Sequence, residues 1–453
     1  MEVKKIGIFT GLATAVGVAL GSTAFVSLGN GAGTGGIYFI GAILLIGIVY
    51  ECFALSGCEL NDILPGCNGN AGRLLECAFG PSVSIILNIM TYFIISVLAG
   101  CSETIFVSRV IANTLLTGVP YQAIAISILV LIAIINLVGS DWFARIQNVV
   151  FFILVFTLFS LALVGSLGFS PNAEVIMENK PSVTGIMGML ELSSWAYYLF
   201  LAIDMVLPLA LIMKKPKKNV RISIMGGILL LMVLYSLLAL GLYKYLPLDV
   251  LAVDLMPNVT FGKTLFGQFG YYWMIVAVIL AAVSTENTLV QAPSIDLLGC
   301  ANSGLFPKFM TTTNKAGAPW PWIILISGIQ IIICTFFGNA NLDILIMASC
   351  GFYIIVFILF HVAAIKFRIK YPNAARNKKF VMFHIPQIFG TLALLYVLYT
   401  VFKDPKVLVI DIVVGVIILC YSVFWCIFGL KKHPFKAIMV AEVEMAGSES
   451  ASK

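Results

Sequence analysis

The chain has 453 residues, of which 60% are hydrophobic and only 11% are charged, and its formal net charge is +6. Soluble domains carry about 25% charged residues, so this composition excludes an ordinary soluble protein. The lysines and arginines lie in loops between apolar segments, so the positive charge does not indicate a nucleic-acid partner.

Apolar segments recur along the whole chain. A membrane-spanning helix needs about 20 apolar residues, and we refer to the segments that qualify as spans 1 to 12. They are 6–28, 37–58, 82–115, 121–138, 147–169, 185–213, 222–243, 271–298, 320–337, 342–366, 381–402 and 408–430. The first is too long and glycine-rich for a signal peptide, so we expect it to be retained. The sequence predicts an all-α integral membrane protein with a polar tail.

The basic residues alternate between the two sides of the membrane. With the N-terminus in the cytoplasm, 21 of the 27 lysines and arginines fall on the cytoplasmic side. By the positive-inside rule, this asymmetry predicts that both termini are cytoplasmic. The compact loops are typical of a bacterial cytoplasmic membrane protein, which is the location we expect.

Span 1 carries small and polar residues at its middle, in the stretch GVALGSTAF from Gly17 to Phe25. One interpretation is a broken helix, whose freed backbone groups persist only where they line a cavity or meet a ligand. The free N–H groups at the start of the inner or outer half-helix would then hold a carboxylate. The other interpretation is close helix packing, since Gly17 and Gly21 have the G-x-x-x-G spacing.

Four acidic residues lie inside predicted spans: Glu51 in span 2, Glu103 in span 3, Asp204 in span 6 and Glu286 in span 8. Such residues are costly in a bilayer and indicate function by default. Glu103 and Asp204 are candidates for binding a cationic group or a proton, and structural hydrogen bonds to neighbouring helices are the alternative. We expect Glu51 to be a packing residue or a relay.

Cofactors, metals and catalysis have no signature here. The ten cysteines form no C-x-x-C or Cys/His cluster, and the glycine-rich stretch 29–36 follows no strand. The three histidines supply no catalytic cluster. We therefore expect no cofactor, no metal, no nucleic acid and no enzymatic activity.

Four motifs occur in order along the chain. They are GSTAF (21–25), CELNDILPGCNGNAGRLLECAFGP (58–81), KKPKKNV (214–220) and SGLFPKFMTTTNKAGAPWP (303–321). Their order and spacing over about 430 residues resemble the amino acid–polyamine–organocation (APC) superfamily of permeases. The first is similar to that family's G-S-G-x-F, and the third to its K-N-P-x-R-x-I/V.

The resemblance implies a LeuT-like fold with a 5+5 inverted-repeat core. The repeats would be 1–170 and 171–370, followed by spans 11 and 12 in 371–430 and a cytoplasmic tail at 431–453. Spans 1 and 6 would be broken near the midplane, where substrate binds. The implied substrate-binding residues are Gly17, Gly21, Ser22, Thr23, Glu103, Tyr198, Phe200, Ala202 and Asp204.

The chain departs from the family pattern in both broken spans. Thr23 replaces a glycine, and Ala202 replaces the glycine of the F-x-G-x-E motif in span 6. Pro208 lacks a backbone donor and would supply the break in span 6 instead. We expect Tyr198 to act as a gate, because it lies six residues before Asp204 on the outer half of that span.

The coupling ion has competing candidates. In sodium-linked relatives, a Ser/Thr pair in span 8 coordinates the ion, and Ser284 and Thr285 fit that role because hydroxyls suit a hard cation. Proton-linked relatives carry a lysine in span 5, where this chain has Leu154. Asp204 and Glu286 remain proton candidates, so we rank proton coupling or exchange ahead of sodium.

The substrate class is predicted from charge. Buried acids without a partner cation favour a positively charged substrate, and the Gly21–Ser22 pair favours a carboxylate. We therefore expect amino acid transport, with polyamines or other small cationic amines as the alternative. A channel would show a repeated filter segment and a receptor an additional soluble domain, and the chain has neither pattern.

Overall fold

The computed structural model describes residues 5–63, 70–176, 179–336, 342–372, 374 and 383–432. Within these residues it contains helices and one isolated β-bridge, but no β-strand. Residues 64–69 of the second motif and the predicted tail from residue 433 onward lie outside the described residues.

The helices follow the predicted spans. They are α1 (Ile8–Ala19), α2 (Ser22–Gly35), α3 (Tyr38–Ile63), α4 (Asn70–Phe79), α5 (Pro81–Asn88), α6 (Ile95–Thr114), α7 (Tyr121–Val138), α8 (Ser140–Leu167), α9 (Gly185–Glu191), α10 (Ser193–Tyr198), α11 (Pro216–Tyr245), α12 (Leu248–Leu251), α13 (Pro257–Asn302), α14 (Trp320–Phe336), α15 (Leu342–Lys370), α16 (Ile385–Val401), α17 (Pro405–Phe424) and α18 (Leu430–Lys432). A π-helical turn, Ile89–Ile94, joins α5 to α6.

In the part of the chain that the structure describes, nine helical segments are long and apolar enough to cross a membrane, and the bent pair α1–α2 makes a tenth if it is one span. Two shorter apolar helices, α14 and α16, lie on predicted spans 9 and 11. The protein is therefore a multi-pass helical membrane protein.

Span 1 is broken where its glycines predict a break. Helix α1 ends at Ala19, α2 begins at Ser22, and the two helices are bent by 53°. Gly21 has an extended backbone (φ −56°, ψ 153°) that interrupts the helical hydrogen bonds. Gly17 has the other predicted role, because a Cβ there would lie 2.5 Å from Gln147 Nε2 and 2.6 Å from Ser284 Oγ. One glycine permits the break, and the other permits close packing.

Span 6 is interrupted over a longer stretch. Helix α10 ends at Tyr198, and two 3₁₀ segments follow at Ile203–Val206 and Pro208–Ile212. Ala202 takes the left-handed conformation (φ 65°), which favours glycine. The α-helix ends well before Pro208, so the predicted origin of the break at that proline is wrong.

Several loops meet at one end of the bundle, which we call the basic end. Arg221 at the start of α11 forms an ion pair with Asp62, and Arg368 in α15 forms one with Glu59, 2.5 Å apart. Ile6 pairs with the end of span 6, since its N–H donates to the carbonyl of Ile212 at 2.8 Å. These contacts tie α3, α11, α15 and the N-terminal segment together.

Candidate functional site

A small cavity of about 20 Å³ lies between the breaks in spans 1 and 6. Helices α6 and α13 complete its walls. It is lined by Val18, Ala19, Gly21, Thr23, Ala24, Ala99, Glu103, Tyr198, Leu201, Ala202, Thr285 and Leu289. This volume holds about one water molecule, so the cavity in this structure is too small for an organic solute.

Glu103 is bound to the start of α2. One carboxylate oxygen accepts a hydrogen bond from the backbone N–H of Ser22. The other accepts from the N–H of Thr23 at 3.0 Å and from the Thr23 hydroxyl at 2.7 Å. The side chain is 1% exposed. Its negative charge therefore lies at the positive end of the α2 dipole.

This contact changes the predicted role of the break. The N–H groups freed at the start of a half-helix are predicted to hold a carboxylate of the substrate, and at the start of α2 these groups belong to Ser22 and Thr23. The structure places the protein's own carboxylate, Glu103, on them. Among the lining residues Glu103 is the only charged side chain, so the cavity offers a solute negative charge.

Tyr198 closes one wall of the cavity through a polar contact. Its hydroxyl lies 2.8 Å from the Thr23 hydroxyl. Because the Thr23 proton is directed at Glu103, Tyr198 is the donor in this pair. A chain of hydrogen bonds therefore runs from Tyr198 through Thr23 to Glu103, and it joins the two broken spans.

The predicted ion-binding pair lies beside the break in span 1. Thr285 Oγ1 donates to the carbonyl of Val18 at 3.1 Å, and Ser284 Oγ accepts from Gln147 Nε2 at 2.8 Å. The same Gln147 nitrogen donates to the carbonyl of Ala13 at 3.1 Å. A neutral amide from α8 therefore occupies the space between these oxygen atoms.

Sequence reasoning did not identify Gln147. It considered Leu154 in span 5, which is fully buried among apolar side chains. The available signal was an amide at the first position of a predicted apolar span. The position of a residue along a span does not reveal whether its side chain faces span 1. Gln147 therefore could not be told apart from a polar residue at the membrane surface.

Glu286 lies one residue from the cavity wall. One carboxylate oxygen accepts from Gln330 Nε2 at 2.5 Å, and the side chain is 1% exposed. Its other oxygen has no hydrogen-bond partner among the described residues. Gln330 also donates to the carbonyl of Ser96 at 2.9 Å, so this acid joins α13 to α14 and α6.

Asp204 and Phe200 do not line the cavity. Asp204 is fully buried and accepts a hydrogen bond from the Tyr353 hydroxyl of α15. Phe200 packs against the ring of Tyr50, with 5.3 Å between the centroids. Glu51 also lies away from the cavity, and its oxygens have no partner among the described residues. The structure thus brings together Gly21, Thr23, Glu103, Tyr198, Ala202 and Thr285 from the predicted set.

Comparison with known proteins identifies the family. A family model described as "Amino acid permease" matches residues 6–427. The chain belongs to the APC superfamily of permeases. This permease is 23% identical over 352 residues to putrescine transporter PotE of Escherichia coli strain K12, over 74% of this chain and 77% of that protein. The PotE protein of Escherichia coli O6:H1 matches with the same identity and the same shares of both chains.

Proposed function

We propose that this permease transports small organic cations that carry amino groups, such as linear diamines, and that it has no enzymatic activity. The single observation that carries the proposal is the position of Glu103 on the N-terminus of α2. A substrate amine then supplies the positive charge that the cavity lacks, and Glu103 is its anionic partner.

A substrate carboxylate fits this arrangement less well. To reach the N–H groups of Ser22 and Thr23 it must displace Glu103, which would leave a second buried negative charge without its partners. Buried charges are stable only when paired and hydrogen-bonded. The similarity to putrescine transporters supports the same choice.

Amino acids are the second candidate, favoured by the backbone donors at the start of α2. If Glu103 turned toward the substrate amino group, the freed N–H groups of Ser22 and Thr23 would hold the substrate carboxylate. The description of the matching family agrees with this candidate.

The architecture that we propose is a LeuT-like core with twelve spans and two inverted repeats. Its support is the juxtaposition of two broken spans at one cavity, which is the usual arrangement at the midplane of such transporters. The distribution of basic residues supports cytoplasmic termini, and we propose a bacterial inner membrane as the location.

For energy coupling we propose proton symport or solute exchange rather than sodium symport. The Gln147 amide donates to Ser284 and to the carbonyl of Ala13, so it competes with a cation for two of the oxygen atoms. Glu286 is buried, and the oxygen that has no partner among the described residues makes it the candidate proton carrier. Buried acids of this kind mark proton pathways in membrane proteins.

The test is uptake into proteoliposomes of labelled putrescine, arginine and leucine, each with a pH gradient, a sodium gradient or neither. We expect putrescine uptake to fall at least about tenfold in Glu103→Gln, since a charged hydrogen-bonded pair contributes roughly 1.5–3 kcal/mol. The matched control is Glu51→Gln, which removes an acid away from the cavity and should retain uptake.

Two results would contradict the proposal. One is putrescine uptake that survives Glu103→Gln. The other is uptake of leucine with no uptake of either cation, which would support the amino acid candidate.

A further inference from the structure

A second cavity, of about 360 Å³, lies beside the loop that follows α13. Its lining includes Ile89 and Phe93 of the π-helical turn, Phe306, Leu325 of α14, and Ile417 and Tyr421 of α17. We call it the lateral groove. Its volume is within the range of small-ligand pockets, and its walls are almost entirely apolar.

The lateral groove is open toward the surface that faces lipid. Leu325, Phe309 and Ile417 at its rim are 37%, 63% and 63% exposed, and they lie in or next to apolar spans. Apolar surface of this kind gains from contact with a hydrocarbon chain and loses from contact with water. The shape and chemistry of the groove therefore fit an acyl chain.

One end of the lateral groove carries positive charge. Lys308 is exposed and stands between Pro307 and Phe309, which both line the groove. No aspartate or glutamate occurs from residue 297 to residue 342, so this segment contains no acid to neutralise it. The charge is complementary to an anionic headgroup.

Two tryptophans form hydrogen bonds to the backbone of the loop that follows α13. Trp322 Nε1 donates to the carbonyl of Met310 at 3.1 Å, and Trp425 Nε1 donates to the carbonyl of Gly304 at 3.2 Å. Tryptophan is typical of the membrane–water interface. The loop and its lysines therefore lie at the depth of lipid headgroups, with the groove extending into the hydrocarbon region.

We propose that the lateral groove is a binding site for an anionic phospholipid. One acyl chain fills the groove, and the phosphate contacts Lys308. Basic pockets between spans recognise anionic headgroups in this way. The inference is independent of the substrate that the permease carries.

The position of the groove links the lipid to the transport cavity. The π-helical turn that forms one wall continues directly into α6, the helix that carries Glu103. Such turns occur frequently at functional sites. An acyl chain in the groove packs against this turn. We therefore expect the bound lipid to affect the transport rate as well as the stability of the protein.

Native mass spectrometry of the detergent-solubilised protein tests the proposal, with equal amounts of phosphatidylglycerol and phosphatidylcholine added. We expect preferential retention of phosphatidylglycerol, which falls about fivefold in Lys308→Gln because one basic residue near the headgroup is lost. Leu325→Trp fills the groove and should abolish retention. Its matched control is Ile324→Trp, at an exposed neighbouring position of α14 that does not line the groove.

Equal retention of the two lipids by the wild-type protein would overturn the headgroup assignment. Retention of phosphatidylglycerol that is unchanged in both Lys308→Gln and Leu325→Trp would overturn the site. Lys308 is exposed and lies outside the apolar core, so Lys308→Gln keeps the proposal testable even if the tryptophan variant fails to fold.

Discussion

Glu103 accepts two hydrogen bonds from Thr23, one from the backbone N–H at 3.0 Å and one from the hydroxyl at 2.7 Å. The two residues are 80 positions apart in sequence. This contact joins α6 to the break in span 1, and through Tyr198 it extends to the break in span 6. Thr23 stands where the family typically has glycine. Its hydroxyl is thus the central member of this series of hydrogen bonds.

Thr23→Val should remove the hydroxyl from this chain while keeping the shape of the side chain. We expect a loss of about 1–3 kcal/mol in the free energy of unfolding, because Tyr198 and one oxygen of Glu103 each lose a buried partner. Thermal unfolding in detergent measures the effect. Thr23→Ser retains the hydroxyl and should stay close to wild type. Equal melting temperatures for the wild type, Thr23→Val and Thr23→Ser would show that these hydrogen bonds contribute no stability.

Tyr198→Phe tests the role of this residue as a gate. The variant loses the hydrogen bond to Thr23 but keeps the ring. The contact between the two broken spans is therefore weakened by about 1 kcal/mol. We expect substrate to leave the protein several-fold faster, measured as efflux from preloaded proteoliposomes. Tyr197→Phe is the matched control, because Tyr197 is the neighbouring residue of α10 and does not line the cavity. Identical efflux from the two variants would argue against the gate.

The position of the Gln147 amide leads to a prediction of how the protein responds to sodium. With its amide between Ser284 and Ala13, the wild-type protein should show the same uptake and melting temperature in sodium and potassium buffers of equal ionic strength. Gln147→Ala exposes oxygen atoms that suit a hard cation, so its melting temperature should rise on adding sodium. A sodium effect in the wild type but not in the variant would reverse this assignment.

Ala202 occupies a left-handed backbone conformation, with φ 65°, at the position where the family has glycine. Such a conformation costs roughly 1–2 kcal/mol for a residue with a Cβ. We therefore expect Ala202→Gly to raise the melting temperature. Ala196→Gly, inside helix α10, should instead lower it, because glycine destabilises a helix by about 1 kcal/mol. A lower melting temperature for both variants would show that the strain at Ala202 is negligible.

The sequence predicts the broken first span and identifies Glu103 as an acid inside a span, but it does not predict the partner of that acid. Gly21 and Ser22 interrupt a hydrophobic run, and an acid in a span is visible without any tertiary information. The partners of Glu103, Asp204 and Ser284 come from Thr23, Tyr353 and Gln147, which are distant in sequence. Helical periodicity places a residue on a face but does not say which neighbour that face meets, so Asp204 was expected at a cavity that it does not line.

Glu76 in α4, outside the spans, predicts a pH dependence of stability. Burial raises the pKa of Glu76 to about 7, against the opposing effects of Arg73 at 3.5 Å and a hydrogen bond from Ser303 at 3.1 Å, while Asp296 raises it further. The folded state therefore binds a proton more tightly than the unfolded state, whose pKa is near 4.5. Stability is greatest below about pH 4.5 for this group and falls as the pH rises through 7.

A tenfold change in proton affinity between the folded and unfolded states corresponds to about 1.4 kcal/mol. Ionisation of Glu76 should therefore lower the free energy of unfolding by up to about 3 kcal/mol between pH 5 and pH 8. Glu76→Gln keeps the size of the side chain and cannot ionise. The difference in melting temperature between Glu76→Gln and wild type should therefore be larger at pH 8 than at pH 5. A difference that does not change with pH would mean that the carboxyl group ionises in the folded protein at its ordinary pKa, with Arg73 compensating fully for its burial.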